Sequence, residues 1–263
     1  MMQRKTKDLI KKDILIRFAP HKIKIRTLLK VFSNQPILIG GCARSGTTLL
    51  LSMLDAQPEV FCIPHETSLF TVRYSKNKKI NGFLNKMAIR LLISYYNIPK
   101  KAERWCEKTP RNVQHIKNIE NVFKNNFKFI HIVRDGRDVV TSRHPDNPDK
   151  YWVPIERWVD DVKAGLKYKK HPNVFTLKYE DLVLDFNKTM KKLCIFLDIS
   201  YKDALNWVEK TGLKKSNAWF GAAKNVHAKS IGRWKKKKYE KRIRQFMDNK
   251  EAVKLLKELE YQP

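Results

Sequence analysis

Short, wholly apolar runs alternate along this chain with stretches whose apolar residues recur every three or four positions. The run ILIGG at 37–41 is apolar and closed by glycines, which predicts a buried strand. SGTTLLLSMLDAQ after it predicts a helix starting near Gly46. EVFCI predicts a second short strand before Pro64, and residues 80–96 a helix. The stretch NIPKKAERWCEKTPRN reads as a short edge segment and a loop. Pro110 suits the first turn of a helix to about Val122, where its missing N–H costs nothing. FKFIHIV from Phe127 is the clearest central strand, and a helical stretch opens after it at Arg137. Ile155, Trp158, Val159, Val162 and Leu166 share one face of a helix over 155–168. NVFTLKYEDL predicts a strand and turn, 182–197 a helix, and helices return over 239–259. This alternation predicts an α/β fold of three layers, with a central, mostly parallel sheet flanked by helices.

Composition narrows the class. Of 263 residues 42% are apolar, and 13 Phe, 9 Tyr and 6 Trp exclude a disordered chain. The length suits one full core. We read 35–263 as a single domain and 1–34 as a basic N-terminal extension packed on or beside it. In that extension Leu9, Ile10, Ile14, Leu15 and Phe18 mark one face of a short helix, which either packs on the domain or lies on a membrane among the lysines. No run of 18 apolar residues and no secretory signal pattern stands out, so the expectation is a cytoplasmic, bacterial-type soluble protein, at most peripheral to a membrane. Cys42, Cys62, Cys106 and Cys194 lack metal-ligand spacing and read as buried reduced thiols. Lys and Arg number 55 against 26 Asp and Glu, a net charge of +29 that draws anions: nucleotides, nucleic acid, acidic polymers or a lipid surface.

Two motifs choose among these. Gly41-x4-Gly46-Thr47-Thr48, set between a strand and a helix, has the spacing of a phosphate loop, in which backbone N–H groups and a helix N-terminus face an anion. Thr47 stands where a nucleotide triphosphatase keeps its lysine, which weakens hydrolysis of ATP or GTP and leaves anion binding intact. The second site starts where FKFIHIV ends. A strand-turn-helix layout carries Arg134 and Ser142 toward the same end of the sheet as the first loop, where ligands of open α/β sheets gather. Alone, each reads also as an ordinary turn or a surface ion-pair network.

Together GGCARSGTTLL and FIHIVRDGRDVVTSR, about 90 residues apart, resemble the two nucleotide-binding elements of the sulfotransferase superfamily, the enzymes that use 3'-phosphoadenosine 5'-phosphosulfate (PAPS). The motif style is closest to tyrosylprotein and bacterial carbohydrate-type members. The resemblance implies a P-loop-like fold, PAPS as sulfuryl donor, adenosine 3',5'-bisphosphate (PAP) as product, and no required metal. It places the 5'-phosphosulfate on the backbone of Cys42, Ala43, Arg44, Ser45, Gly46, Thr47 and Thr48, with the side chains of Arg44, Thr47 and Thr48, and the 3'-phosphate on Arg134 and Ser142. Tyr179 in LKYEDL matches a tyrosine near the adenosine pocket. SIGRWKK resembles a late loop that covers the nucleotide, here near 224–238, with Ser230, Arg233 and Lys235 as candidates; a solvated lysine-rich surface is the rival reading.

For the chemistry the resemblance points to Glu66 in CIPHETSLF as general base, similar to a family glutamate in a GEET setting, although Pro64 and His65 depart from that pattern. It points to Lys108, in a Lys-x-Pro context, as the cation that stabilises the leaving oxygen, with Arg44 as helper. The acceptor is expected to be a hydroxyl of a carbohydrate, with the basic surface favouring an acidic glycan or peptide. Alternatives are a tyrosylprotein-type enzyme, a nucleotide kinase or triphosphatase, and a nucleic-acid-binding module using RWKKKKYEKRIR; the last is disfavoured because no complete recognition motif accompanies it. His131, inside a strand, is expected to be packed and hydrogen-bonded, Trp158 to pack its helix, and His144 and His227 have no defined partner.

Overall fold

A computed structural model describes residues 30–72, 77–144, 146–201, 207–211 and 228–262. The apolar positions of the N-terminal extension, His227 and residues 224–227 of the late loop lie outside the described residues. The strands are β1 Ile37–Gly41, β2 Val60–Cys62, β3 Arg104–Lys108, β4 Lys128–Val133 and β5 Val174–Lys178. The helices are α1 Thr47–Asp55, α2 Lys78–Ser94, α3 Ile116–Phe123, α4 Gly136–Val140, α5 Ile155–Leu166, α6 Tyr179–Leu184, α7 Phe186–Leu197, α8 Trp207–Lys210, α9 Glu240–Asp248 and α10 Lys250–Glu258.

The strands form one sheet in the order β2-β3-β1-β4-β5. Every pairing is parallel, so each connection crosses over a face of the sheet and both faces are covered. The two-residue side-chain period divides the core. Ile37, Ile39, Ile130 and Ile132 pack with Leu50 and Leu54 of α1 and Leu193 and Leu197 of α7. Leu38 and Phe129 point the other way, into Ile89 and Ile93 of α2 and Ile116 and Ile119 of α3. A third cluster joins Val133 and Val139 to Trp158 of α5, Phe246 of α9 and Leu255 of α10. Burying one such side chain contributes roughly 1.5–3 kcal/mol. All four cysteines are free and buried.

Helix α5 lies against β4 with no space between them. A Cβ at Gly165 would come within 2.2 Å of the His131 ring. His131 is packed as expected, but neither ring nitrogen has a hydrogen-bond partner among the described residues. Burial lowers its pKa to about 4, so it is neutral in the folded protein.

Three local expectations need correction. The segment Arg104–Lys108 is an interior strand, between β2 and β1, and not an edge; its last two residues, Glu107 and Lys108, are buried polar groups that disguise it. The helix expected over 182–197 is two, broken at Asp185, whose backbone (φ −126, ψ 46) is non-helical. The turn after Pro110 is 3-10 over Pro110–His115 before the α-helix begins at Ile116.

Candidate active site

Because all strands run the same way, their C-terminal ends share one edge, and the loop after each strand delivers its residues there. The loop after β1 turns on a Ser45 N–H to Cys42 carbonyl bond of 3.2 Å. Gly46 then starts α1 with φ 94, and a Cβ on it would fall 2.5 Å from the Tyr179 ring. Only glycine fits this left-handed corner against an aromatic face. Ala43, Ser45 and Thr47 are buried, and Thr48 is half-buried. The Cys42 side chain turns away into the third core cluster, near Asp161; burial first, then the Asp161 charge, push its pKa well up. What Cys42 offers a ligand is backbone.

Arg134, at the end of β4, ties the second half together. One guanidinium nitrogen donates to the Arg44 carbonyl at 3.1 Å, and another to the Ser230 carbonyl at 2.5 Å. The group lies 4.3 Å from the centroid of the Tyr179 ring, and the Tyr179 hydroxyl meets Ser230 Oγ at 2.7 Å. Arg233 donates to Ser142 Oγ at 3.1 Å. The structure thus brings Arg44, Arg134, Ser142, Tyr179, Ser230 and Arg233 to one place from four distant parts of the chain. Lys235 is not part of this group: it is exposed, with its ammonium 5.7 Å from the Trp234 ring centroid.

This cluster gathers positive charge. The Arg44 guanidinium reaches solvent, yet its pKa is lowered, by partial burial first and then by the charges of Arg233 and Arg134. Mutual repulsion of this kind is relieved by a bound negative charge. Buried Ser45 Oγ, Arg134 Nε and Arg233 Nε have no hydrogen-bond partner among the described residues. Such groups are costly to bury unless something pairs with them. The Arg134 guanidinium lies 3.8 Å from the Asp138 carboxylate, and its charge also acts on Glu180. Asp135, by contrast, is engaged with Arg137 at 2.9 Å, which occupies a carboxylate otherwise suited to a cation.

The loop after β2 supplies Glu66, and β3 ends in Lys108. The Lys108 Nζ donates to Glu66 Oε1 at 2.6 Å. Lys108 is opposite Ile39 in register, two residues before the phosphate loop begins at Gly41. His65 is turned aside and meets the Tyr96 hydroxyl at 3.0 Å. His144 stacks on Trp152, with ring centroids 4.8 Å apart, and accepts from the Asp146 N–H.

Sequence reasoning missed the residues that hold these in place. Asp138 is buried and accepts from Gly232 N–H at 2.8 Å and Trp234 N–H at 3.1 Å, fastening the late loop to α4. Burial raises its pKa, against the lowering pull of Arg134 and those two N–H groups. Trp158 does more than pack: its indole N–H donates to the Arg134 carbonyl at 3.2 Å. Glu180 accepts from the Asp135 N–H and the Tyr261 hydroxyl. Buried Glu107 accepts from Thr67, Thr109 and Asn112. An acidic residue in an otherwise strand-like run was the available signal for Glu107; nothing local marks Asp138 as a loop anchor.

Comparison with known proteins agrees with this geometry. The model of the Sulfotransferase family matches residues 36–203. The chain is 29% identical over 202 residues to protein-tyrosine sulfotransferase A of Caenorhabditis elegans, covering 64% of this chain and 50% of that protein. It is 26% identical over 198 residues to the protein-tyrosine sulfotransferase of Drosophila melanogaster, covering 64% and 39%. The chain therefore spans half the length, or less, of these relatives. Among solved structures, the sulfotransferase domain from the curacin biosynthetic pathway superposes with a TM-score of 0.55 at 18% identity, over 87% of this chain and 98% of that one. Mouse sulfotransferase SULT7A1 complexed with PAP gives 0.54 at 19% identity, over 91% and 95%. At such identity these two speak for the fold.

Proposed function

This chain belongs to the sulfotransferase family, and from that premise we propose that it transfers the sulfuryl group of PAPS to the hydroxyl of a tyrosine in a protein or peptide. The observation that carries the proposal is the meeting of two units at one sheet edge: the Glu66–Lys108 pair and the Arg44–Arg134–Arg233 group. The unpaired Ser45 Oγ, Arg134 Nε and Arg233 Nε fit a ligand with phosphate groups at both ends of a nucleoside. In this reading Arg44, Ser45 and the loop backbone from Cys42 to Thr48 hold the 5'-phosphosulfate. Arg134, Ser142 and Arg233 hold the 3'-phosphate, and Tyr179 and Ser230 border the nucleoside.

The donor supplies an activated sulfuryl group. The acceptor oxygen forms a bond to sulfur as the bond from sulfur to the bridging phosphate oxygen breaks. The acceptor proton passes to the Glu66 carboxylate, which reaches solvent. Lys108 and Arg44 offset the negative charge that grows on the departing oxygen. The products are a sulfate ester and PAP. Most of the rate gain comes from placement and charge stabilisation.

The sequence alone leads to the expectation of a carbohydrate acceptor, with motifs in the style of both tyrosylprotein and carbohydrate-type members. The tyrosylprotein reading is favoured instead by the curated relatives, several of which are protein-tyrosine sulfotransferases. The test is incubation with sulfur-labelled PAPS, a tyrosine peptide panel and a saccharide panel, followed by mass analysis. Label on a peptide tyrosine is expected. Label on saccharide alone returns the acceptor to the first expectation, and label on neither removes the activity.

A further inference from the structure

Glu66 and Lys108 sit on separate segments, and one carboxylate binds both segments without touching either residue's reacting group. Glu107, in β3, is fully buried. Its Oε1 accepts from the Thr67 N–H at 3.1 Å, the Thr67 hydroxyl at 2.9 Å and the Thr109 hydroxyl at 2.6 Å. Its Oε2 accepts from Asn112 Nδ2 at 2.7 Å. Thr67 directly follows Glu66, and Glu107 and Thr109 flank Lys108. The Thr109 oxygen accepts in turn from the Ser68 N–H at 3.1 Å. Asn112 Nδ2 also reaches the Ile39 carbonyl at 3.4 Å, on the strand that leads to the phosphate loop.

Local backbone pairing does not explain this arrangement. The Ile63 N–H to Cys106 carbonyl bond of 2.9 Å extends the sheet contact by one residue, after which the segment bearing Glu66 leaves the sheet with no regular structure. Ser68 in that segment has φ 54, a conformation a serine keeps only where its surroundings fix it. A buried carboxylate is expensive compared with an apolar side chain of the same size, and its neighbours Trp105 and Cys106 show that this strand accepts apolar residues. The cost is offset by four hydrogen bonds, two of them from the residue next to Glu66.

We propose that Glu107 is a positioning residue that sets the separation and direction of Glu66 relative to Lys108. This deepens the sulfuryl-transfer reading and rests on it for its kinetic consequences. Loss of the carboxylate frees the Thr67–Ser68 backbone, so Glu66 spends less time beside the acceptor oxygen, whereas the donor cradle across β1 and β4 keeps its contacts.

The test compares the full chain with Glu107→Leu, Glu107→Gln and Thr109→Val. Steady-state kinetics, PAP calorimetry, and amide hydrogen exchange at Thr67 and Ser68 are the readouts. Glu107→Leu is expected to lower kcat about 100-fold, the loss typical of a slightly misplaced reacting group. PAP affinity stays within about threefold, and the Thr67 and Ser68 amides exchange at least about tenfold faster. Glu107→Gln keeps kcat within about fivefold, because its amide oxygen still accepts from Thr67 and its amide nitrogen can donate to Asn112 Oδ1, which has no partner among the described residues. If Glu107→Leu does not fold, Thr109→Val carries the prediction, with kcat down about tenfold and PAP affinity kept. Unchanged kcat with protected amides in the folded variant overturns the proposal. So does a parallel fall of kcat, PAP affinity and thermal stability, which marks a purely structural group. A wild-type protein that transfers no sulfuryl group defeats the functional reading by itself; the exchange rates then still decide whether Glu107 holds the Glu66 segment.

Discussion

The Glu66 carboxylate and the Lys108 ammonium meet at 2.6 Å, with the Glu66 side chain 44% exposed and that of Lys108 1%. The pair is lopsided: the carboxylate faces solvent, and the cation is held within the sheet edge. Glu66→Gln retains an oxygen for Lys108 but cannot take a proton. We expect kcat to fall 100-fold or more, by about the usual worth of a general base, with the PAPS KM little changed. Glu66→Ala leaves a buried ammonium unpaired and should be the less stable variant, by about 1–3 kcal/mol, the cost of an unsatisfied buried donor. Wild-type kcat in Glu66→Gln would remove the assigned base.

Arg134 should act on binding. Its side chain contacts the phosphate-loop backbone, the late loop and Tyr179, and its Nε remains free for a ligand. Arg134→Ala is expected to weaken PAP about 10- to 100-fold, the loss of one charge-assisted contact, as read by calorimetry. The kcat at saturating PAPS should change far less. PAP affinity equal to wild type would detach Arg134 from the nucleotide.

Gly46→Ala places a methyl group 2.5 Å from the Tyr179 ring at a backbone φ of 94. Clash and strain together should cost about 1–3 kcal/mol of stability and disturb the loop proposed to hold the donor. Thermal unfolding and PAP calorimetry check both effects. A variant with unchanged melting temperature and affinity would show that the corner relaxes freely.

Acid stability follows from His131. Its pKa is about 4 in the fold against 6.5 for the ordinary side chain. Between those values the unfolded chain binds the extra proton, so stability is full above about pH 6.5 and declines as pH falls toward 4, by up to about 3 kcal/mol. His131→Leu should flatten that limb. Urea unfolding at pH 7 and pH 4.5 measures it, and an equally steep decline in the variant would assign the acid sensitivity elsewhere.

The sheet was legible where burial speaks through composition. The runs ILIGG and FKFIHIV are apolar because both faces of β1 and β4 are covered, and they became central strands. β3 escaped because its sequence, RWCEK, is polar where it serves the site: Glu107 and Lys108 are buried with partners that no local pattern reveals. The phosphate loop and Arg134 were readable because a strand, a glycine spacing and a helix occur together in sequence. Ser230 and Arg233 were suggested by motif, but their contacts with Arg134 and Ser142 bridge about 90 residues. The Asp138 anchor of that loop is a long-range pairing, and pairings of this kind carry no local periodicity.

The close seat of α5 on β4 has a consequence for how the backbone at Arg134 can be moved. Gly165 permits the approach over the His131 ring, and two turns earlier the same helix presents Trp158 to the Arg134 carbonyl. The position of the Arg134 carbonyl is thus tied to a helix whose height over the sheet is set at Gly165. Enlarging residue 165 while keeping the His131 ring would lift the helix and, through Trp158, move the Arg134 backbone without altering any side chain beside it.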